Sequence, residues 1–175
     1  MYSIVVASSP IVKPVVSADL PSIAGIYAGY VRGSTATFEL EPPDLAEWTR
    51  RRAAVTDAGL PFLAAEVDGR LAGYAYCSPW KPRPAYRYTA ENSIYLAPWA
   101  TGRGVGGVLL DALLHSCREA GLREVIAVIA DPERNPASTA LHRRRGFADA
   151  GVLRNVGHKH DRWLDTLLLQ KSLAG

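Results

Sequence analysis

Four glycines fall within six positions, at Gly102, Gly104, Gly106 and Gly107, between a strand-like run and a helix-like run. Asn92 to Pro98 precedes them and is largely apolar; Val105 to Ala120 follows and carries apolar residues at helical spacing. Without a Cβ, glycine lets backbone N–H groups turn inward and lets a ligand come close. Added to the unpaired N–H groups of a helix start, these form a site for an anion, above all a phosphate. The fold must therefore bring a strand end, a tight turn and a helix start around one anionic group. A phosphorylated cofactor is the expected occupant.

The other segments set the order of elements. Ile11 to Val16 reads as a strand. Ser17 can cap a helix with Asp19 and Pro21 in its first turn, after which Leu20, Ile23, Ala24, Tyr27 and Val31 recur at helical spacing up to Gly33. Ser34 to Phe38 reads as a short extended piece, and Pro42-Pro43 opens a second helix that passes Leu45, Trp48 and Arg52 and stops at Gly59. Pro61 to Val67 and Leu71 to Cys77 flank Asp68-Gly69, a hairpin signal. Pro79, Pro82 and Pro84 mark a loop before a strand at Tyr88 to Leu96. The helix after the glycines puts Val105, Val108, Leu109, Ala112, Leu113 and Cys117 on one face. Val125 to Ala130 predicts a strand covered on both sides, Pro136 to Arg144 a short helix, and Phe147 to Leu153 and Trp163 to Gln170 two final strands. This is an α+β or α/β pattern with one mixed sheet, preceded by a segment over residues 1–10 to which no role is assigned.

Composition narrows the class. At 175 residues, 48% apolar and 21% charged, the chain has enough apolar residues for a core of its own. A net charge of +3 is too mild to indicate nucleic-acid binding but suits an anionic ligand. No apolar run reaches the roughly 18 residues that span a membrane. Residues 1–7 lack the basic start of a signal peptide. Cys77 and Cys117 lie in apolar patterns and read as buried free thiols, which fits a reducing cytoplasm.

Three glycine loops compete. A nucleoside-triphosphate loop needs Lys and then Ser or Thr after its last glycine, where Val108 and Leu109 stand. A dinucleotide loop matches G-x-G-x-x-G at Gly102, Gly104 and Gly107, with Asp131 where a ribose-binding acid would sit. Against it, Pro98 breaks the strand before the loop begins, and the chain after Asp131 is short for such a domain. In the third reading, the chain from about Ile11 onward resembles the GNAT superfamily of N-acetyltransferases. Their loop pattern, Arg/Gln-x-x-Gly-x-Gly/Ala, is matched at Gly104 and Gly106, with Thr101 in place of the usual Arg or Gln. Asn135-Pro-Ala-Ser-Thr-Ala-Leu-His142 followed by Gly146-Phe147 is similar to the superfamily's second coenzyme segment.

Within that superfamily, Ser34 to Phe38, Ser78 to Tyr86, Tyr88 to Glu91 and Gly157 to Asp165 resemble the phosphinothricin N-acetyltransferase branch. The resemblance implies a GNAT-like domain over residues 1–175, with a mostly antiparallel sheet and helices on both faces. It implies acetyl-coenzyme A as co-substrate, no metal, and a small amino-acid-like amine as acceptor, such as phosphinothricin or methionine sulfoximine. A homodimer is implied on the same ground. Coenzyme contacts are expected from Gly102, Arg103, Gly104, Val105, Gly106, Gly107, Asn135 and Ser138, and thioester polarisation from the amides of Ile94, Tyr95 and Leu96. A protonated amine must lose a proton before it attacks, so Glu91 and His142 are the expected catalytic groups, with their roles undivided. Phe38, Lys81, Arg83 and Tyr86 are the expected substrate contacts, the two cations suiting a carboxylate and a phosphinate. Arg143 to Arg145 reads as a solvated helix face, with coenzyme phosphate contact as the alternative, and His158, His160 and Asp161 as a turn rather than a metal site. Another acceptor amine, or a coenzyme-binding module without catalysis, remains open at this point.

Overall fold

The computed structural model describes residues 9–174. The segment read over residues 1–10 thus lies, but for its last two residues, outside the described residues. Seven strands form one sheet in the order β1-β2-β3-β4-β5-β7-β6. They are β1 Ile11–Pro14, β2 Phe62–Val67, β3 Arg70–Pro79, β4 Thr89–Leu96, β5 Glu124–Ala130, β6 Ala148–Lys159 and β7 Arg162–Ser172. Four helices cover it: α1 Leu20–Gly33, α2 Leu45–Asp57, α3 Val105–Glu119 and α4 Pro136–Arg143.

Local chemistry accounts for most boundaries. At Asp68-Gly69 both φ angles are positive, 51° and 74°, as a two-residue hairpin turn requires. Ser17 does not cap α1. Instead Asp19 turns back and its carboxylate accepts the Val16 N–H at 2.9 Å, stabilising a 3-10 turn at Ser17–Asp19. Helix α2 begins at Leu45, not at Pro42-Pro43, because Asp44 caps it by accepting the Glu47 N–H at 2.7 Å. Ser34 to Phe38 is a bend without strand pairing. In α3 the buried stripe is Val105, Gly106, Leu109, Leu110, Leu113, Leu114 and Cys117, while Val108 is exposed. The last hairpin is longer than its apolar pattern suggests. Strand β6 runs to Lys159 through irregularities at Asp149/Gly151 and Leu153/Gly157, the second containing Asn155 at φ 53°.

Side chains on the two faces of the sheet fill two cores. Leu63, Ala65, Ala75, Cys77 and Ala90 pack beneath α3, and Phe62, Ala64 and Tyr74 pack with Tyr27, Val31, Trp48 and Val55 of α1 and α2. Trp48 meets Tyr27 and Tyr74 edge-on at 5.4 and 5.7 Å.

One irregularity of the sheet positions the site. Every neighbouring pair is antiparallel except β4 and β5, which are parallel and are joined through α3. Their pairing begins at Thr89↔Glu124 and ends at Asn92↔Ala127. Beyond it β4 stays with β3 and β5 stays with β7, so the two strands part in a V.

Candidate active site

The V opens into a cleft of about 1190 Å³. Ser93 to Leu96 and Ala127 to Ala130 line it, together with the glycine turn and Ala36 to Glu39. The turn takes its shape from Gly102 and Gly104, at φ 73° and 79°, where a side chain would be strained. Gly102, Gly104, Gly106 and Gly107 line the cleft, and the first N–H groups of α3 have no intrahelical acceptor. Thr101 also lines it, and its hydroxyl donates to the Pro98 carbonyl at 2.8 Å, closing the short 3-10 turn before the glycines. Val105 is 1% exposed and anchors α3 in the core rather than reaching the cleft. The Arg103 guanidinium lies 5.9 Å from the Trp99 ring centre, outside the cleft lining.

The two ends of α4 border the same space. Asn135 Nδ2 donates to the Ala130 and Asp131 carbonyls at 2.7 and 3.1 Å, pinning the turn where Asp131 takes φ 45°. Asp131 is itself engaged, accepting from the Thr35 hydroxyl at 2.6 Å beside the Arg162 guanidinium at 3.6 Å. It is not a free ribose acceptor. Ser138 and His142 line the cleft. Of the basic run, Arg143 pairs with Asp149 and Arg145 with Asp111, while Arg144 and Arg145 border the cleft together with Arg134.

Strand alternation sorts β4. Its ladder with β3 makes Tyr95↔Tyr74 a hydrogen-bonded pair, in step with the Ala97 N–H donating to the Ala72 carbonyl at 2.8 Å. The Tyr95 amide is thus committed to β3. The amides of Ile94 and Leu96 face the V, and the Leu96 carbonyl accepts the Tyr30 hydroxyl at 2.8 Å.

Glu91, Ser93 and Tyr95 point to the α1 face, where an aromatic wall of Tyr27, Tyr30, Tyr76 and Tyr95 surrounds them. Burial holds the Glu91 carboxyl above the usual carboxylate range, and the charge of Lys81 pulls it part of the way back. Burial also pushes the Tyr27 hydroxyl up to about 12, so it stays protonated and donates to Glu39 at 3.1 Å. Arg51 locks Glu39 in place at 2.7 Å and holds Glu47 at 2.9 Å. Phe38 lines the cleft and packs against Gly157, where a Cβ would collide with its ring. Lys159, 3% exposed, donates to the Thr37 carbonyl at 2.8 Å and holds that segment down.

Asn92 points to the opposite face, toward α4. Its Nδ2 lies 2.9 Å from His142 Nε2, and His142 Nδ1 lies 2.8 Å from the Ser138 carbonyl. His142 is 1% exposed, and burial is the main cause that holds its imidazole below the usual histidine range.

Arg83 and Tyr86 are not brought into the cleft. With Lys81, Arg87 and three prolines they line a separate pocket of about 380 Å³. Only Lys81 reaches the site, through its field on Glu91. Glu39, Arg51, the tyrosine wall and Asn92 were not singled out from the sequence. Tyr74 and Tyr76, two apart on one strand, show in the sequence that aromatic side chains share one face of β3. His158 packs on Trp163 at 4.9 Å, and no group of three metal-binding side chains occurs among the described residues.

Known proteins share this fold. A family model described as "Acetyltransferase (GNAT) family" matches residues 24–147. The phosphinothricin N-acetyltransferase of Alcaligenes faecalis is 52% identical over 155 residues, 89% of this chain and 78% of its own length. The L-methionine sulfoximine/L-methionine sulfone acetyltransferase of Pseudomonas aeruginosa is 39% identical over 160 residues, 89% of this chain and 90% of its own. The crystal structure of a phosphinothricin acetyltransferase from Sinorhizobium meliloti in complex with AcCoA superposes with a TM-score of 0.90 at 42% identity, covering 95% of this chain and 89% of that one.

Proposed function

The chain belongs to the acetyltransferase (GNAT) family, and from that premise we propose that it acetylates the α-amine of a small amino-acid-like substrate of the phosphinothricin or methionine sulfoximine kind. The observation that carries the reading is Glu91, a half-buried carboxylate beside the apex of an acyl-donor cleft. Acetyl-coenzyme A fits that cleft: the glycine turn and the start of α3 present N–H groups to a pyrophosphate, and no Cβ blocks their approach at Gly102 or Gly104. Bound there, the coenzyme supplies an acetyl thioester. The amides of Ile94 and Leu96 face the gap in which the thioester oxygen gains charge, and polarise it.

Glu91 accepts the proton that the amine loses as the N–C bond forms and the C–S bond breaks, and that proton returns through solvent to the departing thiolate, leaving an amide and a free thiol. Transfer is direct. Cys77 and Cys117 are both fully buried with their sulfurs 3.3 Å apart, so neither can carry an acetyl group. Glu39 and Glu91 favour a cationic amine at the acceptor end. Lys81 at its edge favours the anionic groups of an amino-acid-like molecule. No helix among the described residues is long and apolar enough to cross a membrane, which fits a cytoplasmic enzyme. Val152, Leu153, Val156 and Trp163, exposed on the last hairpin, favour a homodimer, to be checked by sedimentation.

The test is thiol release from acetyl-coenzyme A across a panel of amines. Phosphinothricin or methionine sulfoximine should drive release and polyamines should not. Release with polyamines alone would reject the amino-acid acceptor, and coenzyme binding without release for any amine would reject catalysis.

A further inference from the structure

Asn92 is the last residue of the β4–β5 ladder, at the apex of the V. Its side chain and the Ser138 carbonyl hold the two nitrogens of His142 at 2.9 and 2.8 Å. A carbonyl oxygen only accepts, so Nδ1 carries a proton. Burial, the largest influence, and the cation Arg145 oppose protonation of the second nitrogen and outweigh the Ser138 carbonyl, which favours the charged ring. The imidazole is buried, it meets the Phe147 ring edge-on at 4.9 Å, and the one charge bearing on it is the cation Arg145. No carboxylate bears on it among the described residues, and Glu91 leaves β4 on the other face. Nε2 is therefore a bare acceptor, and the Asn92 amide must turn an N–H toward it. That orientation points Asn92 Oδ1 away from the ring, and this oxygen is buried with no partner. Leaving a buried acceptor unmet is costly, so the orientation is held by the histidine.

We infer that Asn92 is a positioning residue that pins His142 as a neutral imidazole protonated on Nδ1, so that the pair fastens α4 to the apex of the cleft and His142 passes no proton during acetyl transfer. The two strands part where this clamp sits. It sets the distance between β4 and the helix that borders the donor side, and leaves Glu91 alone to receive the amine proton. The inference rests on the acetyl-transfer reading for its kinetic consequence only. The state of the ring is a property of the resting protein.

The experiment has two arms. In the ¹⁵N-labelled protein, imidazole spectra at pH 7 should show Nδ1 protonated and Nε2 bare, with the resonance identified by its loss in His142→Gln. In Asn92→Asp a carboxylate replaces the amide, and both nitrogens should be protonated at the same pH. A protonated Nε2 in the wild-type protein overturns the inference, whatever the enzyme acetylates. In the kinetic arm, His142→Gln offers an oxygen acceptor to Asn92 but cannot titrate. Its kcat should fall by no more than about tenfold with an unchanged pH profile, against the roughly 10²–10⁴-fold loss expected for an acid–base group. A loss of the larger size, with both KM values and the melting temperature preserved, likewise overturns it. If no amine is acetylated at all, the acetyl-transfer reading fails, and the spectra still decide the tautomer.

Discussion

The two faces of β4 carry adjacent residues, Glu91 and Asn92, into opposite environments. On the α1 face Glu91 is half-buried among tyrosines, where burial raises its proton affinity and the charge of Lys81 lowers it. On the α4 face Asn92 and His142 are nearly closed off from solvent and tied to each other and to the backbone. A carboxylate held above its usual range and open to a cleft can take up a proton near neutral pH. An imidazole with both nitrogens engaged is proposed as a structural joint. On that reading a single step along one strand separates the chemistry from the frame that holds it.

Substitutions on each face should give different signatures. The largest effect is expected from Glu91→Gln, which keeps the shape but removes the proton acceptor: kcat should drop by about 10²–10⁴-fold with little change in coenzyme binding. Next comes Gly104→Ala on the donor side. Its φ of 79° strains any side chain, at about 1–2 kcal/mol, and the KM for acetyl-coenzyme A should rise by about tenfold with the amine KM unchanged. Gly157→Ala should show the reverse, because the new methyl displaces Phe38 at the acceptor end. The amine KM should rise by about three- to tenfold, within what overpacking costs, and the coenzyme KM should hold. A coenzyme effect from Gly157→Ala would break the division between the ends of the cleft. The smallest effect is a shift in pH dependence. Lys81 favours the charged form of Glu91, so Lys81→Met makes the carboxyl harder to ionise, and the acidic limb of kcat/KM should move to higher pH.

The same separation explains what could be read from the sequence. The Asp68-Gly69 hairpin and the glycine turn depend on conformations within two or three residues, and both are where the sequence places them. Ser17 and Pro42-Pro43 misled because neighbouring aspartates, Asp19 and Asp44, accept the free N–H groups instead. Resemblance singles out Glu91 and His142 as catalytic candidates, but the division proposed between them is not legible. It depends on alternation along β4 and on a hydrogen bond between residues 50 positions apart. The V itself is a matter of register between β4 and β5, which are joined only through α3, and no local pattern announces where parallel pairing ends. The Lys81–Tyr86 segment is a different case. Its cations suit an amino-acid ligand, yet its prolines and the 3-10 turn at Pro84–Tyr86 set Arg83 and Tyr86 in a pocket of their own.

The central claim is that the amine proton leaves by the Glu91 face. Profiles of kcat/KM against pH, with phosphinothricin as acceptor, test it most directly in the wild type, Glu91→Gln and His142→Gln. The wild-type rate should fall as pH drops through the raised Glu91 range, His142→Gln should keep that limb, and Glu91→Gln should lose it. A limb that survives in Glu91→Gln and vanishes in His142→Gln would contradict the account.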